Sequence, residues 1–187
     1  MTRGGAASPC PRPSRIAVIG VGNEFRRDDG VGPAVIARLE RFAADRPLPD
    51  GTGLWSSDGD PGRLIGLWED AELAVVVDAA HARPRHPGRV HQLELDGCET
   101  WQPGAASTHG LGLGTAVELA RTLGRMPRRL IVYAVEGADS SLGTGLTSAV
   151  AAAVEPLVER IAGDLARHRG AAVRARRANA VPTRGSS

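Results

Sequence analysis

The 187-residue sequence contains no lysine: all 23 of its basic side chains are arginine. That absence excludes two chemistries at once, because a P-loop needs its lysine on the phosphates and Schiff-base catalysis needs a lysine amine. Aromatic residues are scarce, at 3%, so the core has to be built from aliphatic side chains. The two cysteines, Cys10 and Cys98, lie far apart and form no CxxC pair. This argues against a disulfide framework or a zinc ribbon and makes a reducing cytoplasm the expected location. No apolar run approaches the roughly 18 residues of a membrane span, and the N-terminal stretch lacks the apolar region of a signal peptide. HExxH, GxSxG and the kinase signatures are missing as well, which removes the common hydrolase and phosphotransfer templates.

The net charge of +2 hides an uneven distribution. Seven arginines sit in residues 1–15 and 170–187, which carry no acid, whereas residues 16–169 hold 16 arginines against 21 carboxylates, a net −5. A basic-partner reading such as nucleic-acid binding would rest on the tails alone, so no nucleic-acid partner is expected. The composition predicts a disordered extension over 1–14, one domain over 15–169 and a disordered Arg-rich tail over 170–187, with a monomer as the expected state.

Between the tails, short aliphatic runs alternate with amphipathic stretches. This predicts an α/β fold of three layers: a mostly parallel twisted sheet of about five strands with helices on both faces. Strands are expected at Ile16–Ile19, Thr52–Ser57, Leu73–Val77, Val90–Leu95 (an edge) and Leu130–Val135. Helices are expected from Asp29 or Gly30, at Arg63–Trp68, at Gly110–Gly124 (Leu113, Val117, Ala120 and Leu123 on one face) and along the stripe Leu146 to Leu165, which Pro156 should kink or split.

The acids fall at strand ends. Asp29 follows the first strand, Asp58 and Asp60 the second, Asp78 the third and Glu136 the last. In a parallel sheet these positions share the carboxyl edge, where open α/β sheets bind ligands. His109, in the Gly-rich loop Ser107-Thr108-His109-Gly110-Leu111-Gly112, can reach the same edge. Two carboxylates and an imidazole, Asp29, Asp78 and His109, suit a first-row divalent metal, although each residue type alone is more often a cap, a backbone acceptor or a solvated loop side chain. The turn Gly20-Val21-Gly22 begins like a dinucleotide fingerprint, but Phe25 replaces the third glycine and Asp28 and Asp29 would repel a pyrophosphate. His81, His86 and His91 match no standard ligand spacing and read as a solvated loop. Cys98, flanked by Asp96 and Glu99, is a poor nucleophile.

Taken in order, Ile19-Gly20-Val21-Gly22-Asn23 with Asp28-Asp29-Gly30-Val31-Gly32, Val77-Asp78-Ala79, Ser107 to Gly112, and Ala134-Val135-Glu136-Gly137 resemble the signature blocks of the [NiFe]-hydrogenase maturation endopeptidases. The resemblance covers about residues 15–166. It implies an endopeptidase, often classed as aspartic-type, that removes the C-terminal extension of a hydrogenase large-subunit precursor after nickel insertion. It further implies nickel ligation by Asp29, Asp78 and His109, with the metal supplied by the precursor, and catalysis by Asp29 or Asp78. Gly22, Asn23, Asp28, Asp58 and Glu136 take supporting or substrate-binding places. Two departures stand out: Asp at 29 is one methylene shorter than the Glu many members carry, and Asp58-Gly59-Asp60 stands where many have Asp-Gly-Gly. A non-cleaving docking factor and a nucleotide-binding regulator are the competing expectations.

Overall fold

A computed structural model describes residues 15–96, 107–108 and 111–179. The expectations placed on residues 1–14, on Cys98, on His109 and on the chain beyond 179 lie outside the described residues. The chain runs β1 (Ile16–Val21), a 3-10 turn (Arg27–Gly30), α1 (Val31–Asp45), β2 (Thr52–Ser57), α2 (Pro61–Trp68), β3 (Leu73–His81), β4 (Val90–Asp96), β5 (Ser107–Thr108), α3 (Leu111–Thr122), β6 (Arg129–Glu136) and α4 (Ser148–Asn179).

The sheet order is β2-β1-β3-β6-β4, with the short β5 paired to the end of β3. β2, β1, β3 and β6 are mutually parallel, while β4 closes one edge antiparallel to β6. The register aligns Val21 with Ser57, Gly20 with Val77, and Asp78 with Ala134, so the carboxyl ends of all four parallel strands meet along one edge. Alternation along each strand sends side chains to two separate cores. Val75, Val77, Ile131 and Tyr133 face α1 and α4, and Ala74, Val76, Leu130 and Val132 face α2 and α3. These are the three expected layers, with an aliphatic core on each face.

Glycines fix how α1 approaches the sheet. A Cβ on Gly32 would lie 2.2 Å from the carbonyl oxygen of Val21, and one on Gly20 would lie 2.3 Å from that of Gly32. Helix and strand therefore touch backbone to backbone, which draws the start of α1 onto the end of β1.

Three details depart from the sequence reading. First, α4 is one helix through Pro156 and continues to Asn179, past the domain end expected at 169. A proline inside a helix costs about 3 kcal/mol, but Val150 before it and Leu157, Val158, Ile161 and Leu165 after it are all buried. At roughly 1.5–3 kcal/mol each, their burial outweighs the broken turn. Second, β3 does not stop at Asp78. It is bonded on both sides, and the small apolar pair Ala79-Ala80 carries it on to His81. Third, Leu123 lies beyond the end of α3 and is 52% exposed, while Leu113, Val117 and Ala120 are buried as expected.

Candidate active site

The loop after β1 is tied by its own polar atoms. The backbone N–H of Asn23 donates to Asp29 Oδ2 (2.9 Å), the Asn23 side-chain Oδ1 accepts from the N–H of Phe25 (2.9 Å), and its carbonyl accepts from the N–H of Arg26 (3.0 Å). Gly22 takes φ +135°, and a Cβ there would sit 1.8 Å from the Asp29 carbonyl oxygen. Only glycine lets the strand end pass so close to the turn that carries the acid. Together these contacts aim Asp29 over the carboxyl edge.

Asp29, Asp58 and Asp78 line one cleft of about 350 Å³, together with Gly22, Arg26 and His81. Leu113 of α3 and Ser140 of the β6–α4 loop also contribute to its wall. Asp78 is 4% exposed. Burial, joined by the negative charge of Asp29 and opposed by a hydrogen bond from the Ala79 N–H, pushes its carboxyl up to about 7. Asp58 is exposed, whereas Asp60 is engaged away from the cleft, where its Oδ1 accepts from the Arg63 N–H at 2.8 Å and caps α2.

The other two acids are anchors. Asp28 is 1% exposed, and its carboxylate accepts from the N–H groups of Ala138 (2.8 Å), Asp139 (3.0 Å) and Thr147 (2.7 Å) and from the Thr147 hydroxyl (2.9 Å). Burial pushes this carboxyl up, yet the four hydrogen bonds outweigh it and hold it below the usual carboxylate range. Glu136, 2% exposed, meets His91 Nε2 at 2.7 Å and accepts from the His86 N–H at 2.6 Å. Its burial is likewise overcome, chiefly by the His91 ring and the His86 N–H, and its carboxyl is lowered. Asp28 and Glu136 support the edge by pinning the loops around it.

The histidines expected to share a solvated loop are separated. His81 ends β3 and lines the cleft, His91 lies on β4 opposite Ala134, and only His86 stays in the loop between. His81, Arg26 and Ser140 are polar cleft residues that the sequence reading missed. For His81 a signal was present, because Ala79-Ala80 prolong the apolar strand beyond Asp78. His109 lies outside the described residues, but its neighbours bracket the cleft: Thr108 pairs with Ala80, two residues beyond Asp78, and Leu113 lines the wall. Among the described residues, no group of three or more His, Cys, Asp or Glu is placed to hold a metal.

A larger cavity of about 770 Å³ opens among Arg15, Glu69, Glu72 and Arg125. Three of its charges are spent on structure: Arg15 donates to the carbonyls of Glu69 (2.7 Å) and Leu67 (2.9 Å), and Arg125 pairs with the Glu69 carboxylate. The acidic cleft is the better candidate for chemistry.

Comparison with known proteins identifies the family. The family model of HycI, hydrogenase maturation protease, matches residues 59–164. The hydrogenase 2 maturation protease of Escherichia coli (strain K12) is 26% identical over 147 residues, covering 79% of this chain and 88% of the relative. The hydrogenase expression/formation protein HupD of Bradyrhizobium diazoefficiens is 26% identical over 148 residues, covering 78% and 75%. Among solved structures, the hydrogenase maturating endopeptidase HybD from E. coli aligns with a TM-score of 0.65 at 26% identity, covering 82% of this chain and 93% of that one. The [NiFe] hydrogenase maturation protease HybD from Thermococcus kodakarensis, 23% identical, shares the fold with a TM-score of 0.58, covering 81% and 98%. The chain belongs to the hydrogenase maturation protease family and is a peptidase.

Proposed function

We infer that the chain removes the C-terminal extension of a [NiFe]-hydrogenase large-subunit precursor once nickel is in place, acting as a monomer in the cytoplasm. The observation that carries this is the convergence of Asp29 and Asp78, from different elements, on one cleft. Their charges interact, since Asp29 raises the Asp78 carboxyl. Joined by His109, they would make a donor set of two carboxylates and an imidazole, which suits a first-row divalent metal. The precursor would bring the nickel, already held by its own thiolates, and the enzyme's three side chains would complete its coordination. Only loaded precursor then docks in register.

Asp78 is the candidate general base. Burial raises its carboxyl to about 7 in the free protein; in the complex, the carboxylate oxygen that nickel leaves unengaged would take a proton from an attacking water and return it to the leaving amine. Lewis-acid help from the substrate's nickel is the other contribution available to the cut.

The test mixes the protein with nickel-loaded and nickel-free precursor and follows the mass of the large subunit. Mass loss with loaded precursor alone is expected. Binding of loaded precursor without mass loss would instead identify a docking factor. An unchanged melting temperature with added dinucleotides is expected and disposes of the nucleotide-binding reading.

A further inference from the structure

Two large apolar side chains stand in solvent beside the cleft. Phe25 is 62% exposed and Leu142 is 82% exposed. They belong to different loops, yet the backbones of those loops are bonded together. The Gly143 N–H donates to the Phe25 carbonyl (2.9 Å) and the Arg27 N–H donates to the Gly143 carbonyl (2.9 Å). Arg26, next to Phe25, and Ser140, two residues before Leu142, line the cleft that holds Asp29 and Asp78.

This rim is braced. Asp28, next to Arg27, holds the 138–147 loop at both ends through Ala138, Asp139 and Thr147. A Cβ on Gly143, at φ +148°, would come within 2.9 Å of the Arg27 side chain, so the two loops also pack tightly where they cross. Apolar groups held out on a fixed frame lose little conformational entropy on binding, which is how interface anchors are built.

We propose that Phe25 and Leu142 form a docking rim for a hydrophobic stretch of the polypeptide substrate flanking the bond to be cut. The proposal rests on the peptidase reading of the cleft. Continuity with that cleft selects the occupant. At about 350 Å³, with three carboxylates in its wall, it accommodates a short stretch around the reacting bond. A polypeptide leaving it at Arg26 or Ser140 passes directly onto Phe25 and Leu142. Binding energy gained there, away from the chemistry, holds ground state and transition state equally and so lowers KM.

The experiment compares wild type, Phe25→Ser/Leu142→Ser and Phe25→Leu for affinity toward nickel-loaded precursor, for KM and kcat of cleavage, and for melting temperature. The double variant should weaken Kd and raise KM by at least about tenfold with kcat at saturation near wild type, while Phe25→Leu retains most of the affinity. If the double variant misfolds, Leu142→Ser alone, at an 82% exposed position, carries the same test. Unchanged Kd and KM in a folded variant overturn the docking rim and leave the protease reading standing. A wild type that binds precursor but does not cut it, with binding lost in the variant, overturns the protease reading and keeps the rim. A wild-type dimer that the variant abolishes, at unchanged precursor affinity, assigns the patch to a second copy and overturns the proposal. A wild type that neither binds nor cuts precursor overturns both.

Discussion

At the scale of single residues, five acids near one edge perform two different jobs, and burial alone does not separate them. Asp28 and Asp78 are both below 5% exposed. Asp28 is saturated by four donors and is lowered, whereas Asp78 has one backbone donor and a like charge nearby and is raised to about 7. The variants should diverge accordingly. Asp28→Asn replaces an acceptor with a donor against N–H groups, so it should lose about 2–4 kcal/mol of stability in chemical denaturation. Asp78→Asn should abolish cleavage yet stabilise the free protein at pH 8, since it removes a carboxylate that must be ionised while buried. A rise from 3.8 to about 7 corresponds to a few kcal/mol, and a melting temperature at pH 8 below that of wild type would contradict it. His109→Ala should abolish processing without changing the cooperativity of unfolding, as measured by mass analysis and thermal melts in parallel. Noncooperative melting would make His109 a structural residue.

At the scale of elements, strands were legible because apolar runs of four to six residues have little else to do in an α/β chain. Their ends were less legible. β3 extends three residues beyond its first charge because both neighbours hold it by hydrogen bonds, a fact invisible in the run Leu73 to Asp78. The continuity of α4 was also hidden, because the cost of Pro156 is local and written in the sequence while the compensating burial depends on a sheet built from residues far away. It follows that Pro156→Ala should restore an internal hydrogen bond without disturbing that packing. A gain of about 1–2 kcal/mol in unfolding free energy is expected, less than the full helix penalty because proline also restricts the unfolded chain.

At the scale of the molecule, the two signs of pKa shift combine into a pH profile. Asp28 and Glu136 have folded values below their ordinary 3.8 and 4.5, so their stabilisation is present above those values and lost as pH falls further. Asp78 runs the other way: the folded state binds its proton more tightly, so stability falls as pH rises from about 4 to about 7. The free enzyme should therefore melt highest at about pH 4 to 4.5, where the Asp28 and Glu136 contributions are nearly complete and the Asp78 decline has only begun. Thermal melts across pH 3–9 check this, and a melting temperature that climbs steadily to pH 8 would show that Asp78 is not the dominant buried carboxyl. In Asp78→Asn the alkaline decline should shrink, which ties the profile to one residue.

The sequence by itself determined the layers and the carboxyl edge, because hydrophobic periodicity and the acids at strand ends are local patterns that a parallel sheet turns into a common rim. It also marked Asp29 and Asp78 as the pair to watch. Tertiary structure alone decided which acids are open and which are spent. Asp28 and Asp29 are adjacent in the chain, yet one is locked to a loop over 100 residues away and the other faces the cleft. The same holds for His81 and His91, which five-residue spacing grouped together and the sheet sends to different partners. Such roles depend on which donors arrive from distant segments, and hydrogen-bond saturation is a property of the folded surroundings rather than of the residue or its neighbours in sequence.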